Sequence, residues 1–341
     1  MAELNGRLIG RAAPVLLGLV AANIAAWAWA LIAFHDYPLL LGTAALAYSF
    51  GLRHAFDADH IAAIDNVTRK LMQDGQRPMG VGLYFSLGHS TVVLLASIGI
   101  ATAVFAFADQ LEVIKGWGGG IGTAVSAIFL LLIAGVNLVI LLSIRRTFRR
   151  VRSGEKVADD QLDVLLPGGG LMAGILRPMF ALIGQSWHMY PLGFLFGLGF
   201  DTATEIGVLG ISASSASTGL PIASILVFPA LFTAGMALMD TIDSILMVGA
   251  YGWAFARPIR RLYYNMTITF VSVIVAVGVG GIEALGLVAD RFSLIGPVWD
   301  IVGSLNDNMG AVGFAIVGVF IASWAVSVLI YRMRGYDRLD A

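Results

Sequence analysis

The sequence predicts an all-α polytopic membrane protein, and three observations carry that prediction. The 341-residue chain is 58% hydrophobic and only 13% charged, against about 25% charged residues in an ordinary soluble domain. Its mean hydropathy is +0.85. Eight stretches each supply the roughly 20 mostly apolar residues that a helix needs to cross about 30 Å of hydrocarbon. They lie at approximately 13–34, 39–66, 80–107, 118–144, 188–211, 221–254, 262–288 and 309–331. The whole chain, 1–341, reads as a single integral membrane domain. The same composition excludes a disordered chain and, at a net charge of −1, a nucleic-acid binder driven by charge. The absence of cysteine excludes a disulfide scaffold and leaves nitrogen and oxygen as the ligands for any transition metal.

Charge placement orients the spans. Eight spans put both termini on one side, and a cytoplasmic N-terminus places 18 of the 21 basic residues in inner segments. These include Arg69, Lys70 and Arg77, the run from Arg145 to Lys156, Arg257, Arg260 and Arg261, and the C-terminal Arg332, Arg334 and Arg338. The outer segments keep Lys115 and Arg291, and Arg53 lies within a span. Basic residues near span ends stay on the cytoplasmic side, so the sequence predicts cytoplasmic termini in a multi-pass cytoplasmic-membrane protein. The first span is too long for a cleavable signal peptide. The longest inner connection, about 145–187, combines a basic run suited to anionic lipid headgroups with a PGGG break. Its apolar second half, Leu171–Trp187, reads as an interfacial or partly re-entrant helix.

Ionisable groups inside a span cost about 2.5–3.5 kcal/mol each on insertion scales, so they mark functional positions. Four spans concentrate them. Span two carries RHAFDADHI (Arg53–Ile61) with Asp65 and Asn66 following, and span three carries FSLGHSTVV (Phe85–Val93) centred on His89. Span five carries LGFDTATEI (Leu198–Ile206) with Asp201, Thr202 and Glu205, and span six carries GMALMDTIDS (Gly235–Ser244) with Asp240 and Asp243. At about 100° per residue, His54–Asp57 and Asp57–His60 are i,i+3 neighbours that can touch. His54 and His60 would lie about 9 Å apart on an unbroken helix, so one ion reaches both only if the helix unwinds locally. Gly51 is a candidate for that unwinding, since transporter sites are often built on broken helices. Asp59 points to another face, where it can orient a histidine on a neighbouring span or pair with Arg53. Imidazole and carboxylate without thiolate suit zinc, nickel, cobalt, copper or iron better than magnesium. The same groups also suit a polar network that ties helices together, or a proton relay.

Asp201 and Glu205 share a face at i,i+4, as do Asp240 and Asp243 at i,i+3. Neighbouring carboxylates in low dielectric need a cation, a proton or Arg53 as partner. FGLRHAFDADHI (Phe50–Ile61) and FGLGFDTATEI (Phe196–Ile206) match loosely, and their spans run in opposite directions across the membrane. The two halves therefore read as an inverted repeat, an arrangement that places transporter sites near the midplane.

These four motifs, in this order and with a basic loop between spans four and five, resemble the nickel/cobalt transporter family (NiCoT permeases) over nearly the whole chain. The resemblance implies a secondary importer of Ni²⁺, Co²⁺ or both, not an enzyme, with no cofactor beyond its cargo and the lipid bilayer as its surroundings. It implies that His54, Asp57, Asp59 and His60 form the core of metal recognition, with His89 close by. Arg53, Asp65, Asp201, Thr202, Glu205, Asp240 and Asp243 are expected along the path or behind the ligands. No P-loop is present, since GGGIGT (Gly118–Thr123) lacks the GK[ST] ending; direct use of ATP and an ATPase subunit are not expected. The alternatives are a metal exporter, an accessory permease that needs partner subunits, and, more remotely, an intramembrane metalloenzyme, for which no HExxH motif is found.

Overall fold

The computed structural model describes residues 2–103, 108–152, 183–198, 203–254 and 258–333, and within these the chain is helical with no strand. The helices are α1 (Ala2–Ala33), α2 (Pro38–His54), α3 (Ala58–Gln73), α4 (Val81–Ala103), α5 (Ala108–Arg152), α6 (Met189–Gly197), α7 (Ala203–Ser217), α8 (Ile222–Ile225), α9 (Val227–Ala254), α10 (Pro258–Phe292), α11 (Pro297–Asp307) and α12 (Met309–Met333). Among the described residues six segments are long and apolar enough to cross a membrane: Ala12–Ala33, Val81–Thr102, Thr123–Arg150, Ile222–Gly252, Met266–Phe292 and Met309–Ile330.

Two of the eight expected spans, 39–66 and 188–211, are absent from that set. The first is broken into α2 and α3; of the second, the described residues form α6 and α7, and 199–202 lie outside them. Most of the Leu171–Trp187 segment lies outside the described residues; at its end a single 3₁₀ turn, Ser186–His188, leads into α6.

The distribution of polarity inverts that of a soluble protein. Large apolar side chains such as Leu17, Ile32, Leu39 and Leu246 are exposed, as suits a surface solvated by lipid. The polar helix α3, ADHIAAIDNVTRKLMQ, lies inside, with every residue but Asp59 buried. It touches α4, α5, α9, α10 and α12. Its polar groups satisfy one another there, because hydrocarbon offers no hydrogen bonds. Lys70 at its far end donates to the carbonyl of Ile183, which ties α3 to the segment before α6.

Small residues let the inner helices approach closely, as is usual where lipid supplies no hydrophobic drive between helices. A Cβ added at Gly82 of α4 would fall 2.0 Å from the carbonyl oxygen of Asp240 on α9. This backbone contact brings α4 and α9 together at the level where their polar side chains meet.

Candidate metal centre

The break between α2 and α3 creates the site. After His54 the amides of Phe56 and Asp57 bond back three residues, to the carbonyls of Arg53 and His54, at 3.0 and 2.9 Å. Asp57 then turns to an extended conformation (φ −66°, ψ 145°) and becomes the N-cap of α3. An N-cap aspartate usually accepts from the helix's own first amides, but Asp57 makes no such cap. Its carboxylate instead takes the Nδ1 hydrogen of His54 at 2.7 Å. Unwinding thus occurs at 55–57 and not at Gly51, which remains inside α2 and packs against the backbone of Phe232. The consequence is large: the His54 and His60 rings, about 9 Å apart on a straight helix, have centroids 4.6 Å apart.

His89 of α4 completes the cluster, with ring centroids 4.8 Å from His54 and 4.9 Å from His60. One ring nitrogen from each of the three histidines lies within 4.8 Å of the others. His54 Nε2 and His89 Nε2 are 3.0 Å apart. One hydrogen lies between two nitrogens at that distance, and since Glu205 also reaches His89 Nε2, the nitrogen of His89 left for a metal is Nδ1.

Each histidine has a carboxylate of its own. Asp57 holds His54, Asp240 Oδ2 lies 3.2 Å from His60 Nδ1, and Glu205 Oε1 lies 2.7 Å from His89 Nε2. Thr204 Oγ1 adds a second contact to His54 Nδ1 at 3.2 Å, and Ser86 donates to Asp240 Oδ2 at 2.6 Å. The three histidines and three carboxylates are all at most 3% exposed. His60 Nε2 and His89 Nδ1 are buried without a hydrogen-bond partner among the described residues. Such orphaned nitrogens in a set of carboxylate-oriented imidazoles are what a metal would satisfy, since carboxylates behind histidine ligands fix tautomer and ring direction. Phe232 and Phe85 wall the cluster, with centroids 5.5 Å from His54 and 4.8 Å from His60.

The remaining sequence candidates are distributed around this centre. Asp59 is half-buried within electrostatic reach of His89. Arg53 is exposed, and its guanidinium converges with Asp57 Oδ1 on Gly310 at the start of α12. Asp243 lies one turn along α9 from Asp240, on the wall of a cavity of about 390 Å³ between α9, α10 and α12. Asp65 is held away from the histidines by Tyr251 and by Ser272 at 2.7 Å. Asp201 and Thr202 lie outside the described residues. Sequence reasoning did not single out Ser86, which stands three residues before His89 within FSLGHSTVV, nor Thr204, which falls inside DTATE.

A family model described as a high-affinity nickel-transport protein matches residues 40–330. The chain is 62% identical over 319 residues to a high-affinity nickel transport protein of Cupriavidus necator, covering 94% of this chain and 91% of that one. It is 44% identical to the nickel transporter NixA of Staphylococcus aureus, with 94% of both chains covered. With the cobalt transport protein NhlF of Rhodococcus rhodochrous it shares 40% identity, covering 86% of this chain and 84% of that one. No solved structure matches the chain significantly. A match across most of the spans and all four polar motifs settles the lineage: the chain belongs to the NicO family of high-affinity nickel-transport proteins.

Proposed function

We propose that this protein is a secondary importer of Ni²⁺ and Co²⁺, and that His54, His60 and His89 bind the ion directly. The observation that carries the reading is the buried triad of imidazoles within 4.8 Å, each backed by its own carboxylate. Three neutral imidazoles with carboxylates behind them match the ligand preference of late first-row dications. Asp57, Glu205 and Asp240 orient the ligands and balance charge, with Asp59 assisting His89. Arg53 sits at the outer mouth. Asp65 and Asp243, with Asp201 and Thr202, belong to the path. The relatives named for nickel and for cobalt support a cargo drawn from these two ions. An inward potential contributes about 2.3 kcal/mol per charge per 100 mV, so a dication can be driven inward without ATP.

The proposed architecture is a single domain of eight spans with cytoplasmic termini, in which α2–α3 and α6–α7 are the discontinuous spans two and five. Two features support an inverted repeat. The segments FGL(50–52) and FGL(196–198) each stand at or near the C-terminal end of a helix, α2 and α6. The packing also exchanges between halves: α2 lies on α9 as α6 lies on α4, and α3 meets α9 as α7 meets α4. The paired side chains follow the same exchange, since His60 of α3 meets Asp240 of α9 while Glu205 of α7 meets His89 of α4.

The test is uptake of radioactive nickel, with cobalt as competitor, by cells that depend on this protein. His54→Ala and His60→Ala are expected to lower the initial rate at least tenfold at unchanged membrane abundance. Normal accumulation by both variants would falsify the site. Proteoliposomes containing this chain alone, with ion outside, separate import from export and from a need for partner subunits.

A further inference from the structure

A second buried polar network lies beyond the histidines on α3, and transport chemistry leaves it unexplained. Arg69 is 0% exposed. Its Nη1 donates to Thr269 Oγ1 at 3.1 Å and its Nη2 to Asn66 Oδ1 at 3.0 Å, while its Nε is buried without a hydrogen-bond partner among the described residues. Asn66 also accepts from Asn137 at 2.5 Å. One turn earlier on the same face, Asp65 is 0% exposed and takes hydrogen bonds from two hydroxyls, those of Tyr251 and Ser272. The network joins α3, α5, α9 and α10 at one level.

Its position relative to the metal centre gives it a role. Asp65 follows His60 by five residues on α3, about 7.5 Å further along the axis. Asp243 lies one turn from Asp240, and its Oδ2 is buried without a hydrogen bond among the described residues. Asp243 is within electrostatic reach of both Asp240 and Asp65. Asp243 and Tyr251 both line the cavity between α9, α10 and α12. An ion leaving the histidines toward that cavity therefore meets Asp243 on its wall, with the Asp65 carboxylate behind it bound to the cavity-lining Tyr251, in a medium where charges interact strongly. Without compensation these acids would hold a dication and stall it.

We propose that Arg69 is a built-in counter-cation that keeps Asp65 and Asp243 from trapping the transported ion beyond the histidine site. The inference rests on the importer reading above and adds to it a positioning residue that acts through Asp65. A guanidinium placed only to tie helices would be expected to use its donors fully. Arg69 is held by two neutral acceptors, stands one turn from its acid without a direct ion pair, and retains a spare N–H.

The experiment measures binding stoichiometry and uptake together. Purified wild-type protein is titrated with Ni²⁺ alone and is expected to bind one equivalent. Arg69→Gln is expected to bind two equivalents, because Asp65 and Asp243 become available, and to lower uptake at least tenfold. Asp65→Asn combined with Arg69→Gln should return the stoichiometry to one. Arg69→Lys, which keeps the charge and loses the planar fork, should bind one equivalent and retain most uptake. One equivalent with normal uptake in Arg69→Gln overturns the proposal, and so does Arg69→Lys failing as badly as Arg69→Gln. Failure of the wild type itself to bind Ni²⁺ would instead remove the importer reading, so the two failures are distinguishable.

Discussion

At the scale of single residues, the defining feature is that every imidazole in the cluster has an acidic partner of its own. A neutral imidazole offers one lone pair, and the hydrogen bond on its other nitrogen decides which nitrogen that is. Glu205 does this for His89 across 2.7 Å. Glu205→Gln keeps an acceptor of similar shape but loses the charge, and Glu205→Ala loses both. Outer partners of metal-bound histidines are worth about 10–100-fold in affinity. Calorimetric titration of the purified variants with Ni²⁺ should place the glutamine change near the lower end and the alanine change near the upper. Equal affinity in wild type and both variants would remove Glu205 from the site. The sequence made one of the three pairings legible: His54 and Asp57 are i,i+3 neighbours. The other two join residues 180 and 116 positions apart. No helical wheel contains such distances, although both acids stood out as charges in apolar spans. Arg69 was read only as a cytoplasmic marker, because local spacing does not reveal that α3 continues inside the bundle.

At the scale of elements, a three-residue break does what no substitution on a straight helix could. Residues 55–57 fold His54 and His60 onto one centre, and a neighbouring helix seals the break. The α12 backbone approaches so closely that a Cβ at Gly313 would fall 1.6 Å from the carbonyl oxygen of Phe56. The Phe56 and Phe314 rings stack beside it at 4.7 Å. Gly313→Ala therefore forces either α12 or the break to move, and overpacking of this kind costs about 1–3 kcal/mol. Since the break sets the His54–His60 separation, uptake should fall at least tenfold in a variant that still reaches the membrane in normal amount. Blotted membranes and tracer uptake check this, and unimpaired uptake would show that the break tolerates a shifted α12. The sequence indicated that unwinding was required, from the distance between the histidines, but favoured Gly51 as its location. Glycine marked a close helix contact there, while the break fell at Ala55–Asp57, where Asp57 leaves its usual capping role for His54.

At the scale of the whole molecule, the chain is organised inside out, with lipid-facing apolar helices around a polar one. Composition and hydropathy made that arrangement legible, but the described residues hold six helices long and apolar enough to cross a membrane, and span two, which carries two of the three histidines, is not among them because it is interrupted. The orientation of spans two and five is the remaining link between fold and direction of transport. An inverted pair requires span two to begin, and span five to end, on the same outer face. The chain contains no cysteine, so each introduced thiol is the sole reactive one. Asp36 before α2, Arg77 after α3 and Thr218 after α7 are exposed positions outside the metal cluster. Asp36→Cys and Thr218→Cys should react with a membrane-impermeant maleimide in intact cells, whereas Arg77→Cys should react only after permeabilisation. Labelling of Thr218→Cys from the cytoplasmic side alone would mean that α6 and α7 do not together cross the membrane. The exchange of His60–Asp240 with Glu205–His89 would then be a coincidence of packing and not the product of a two-fold relation between the halves.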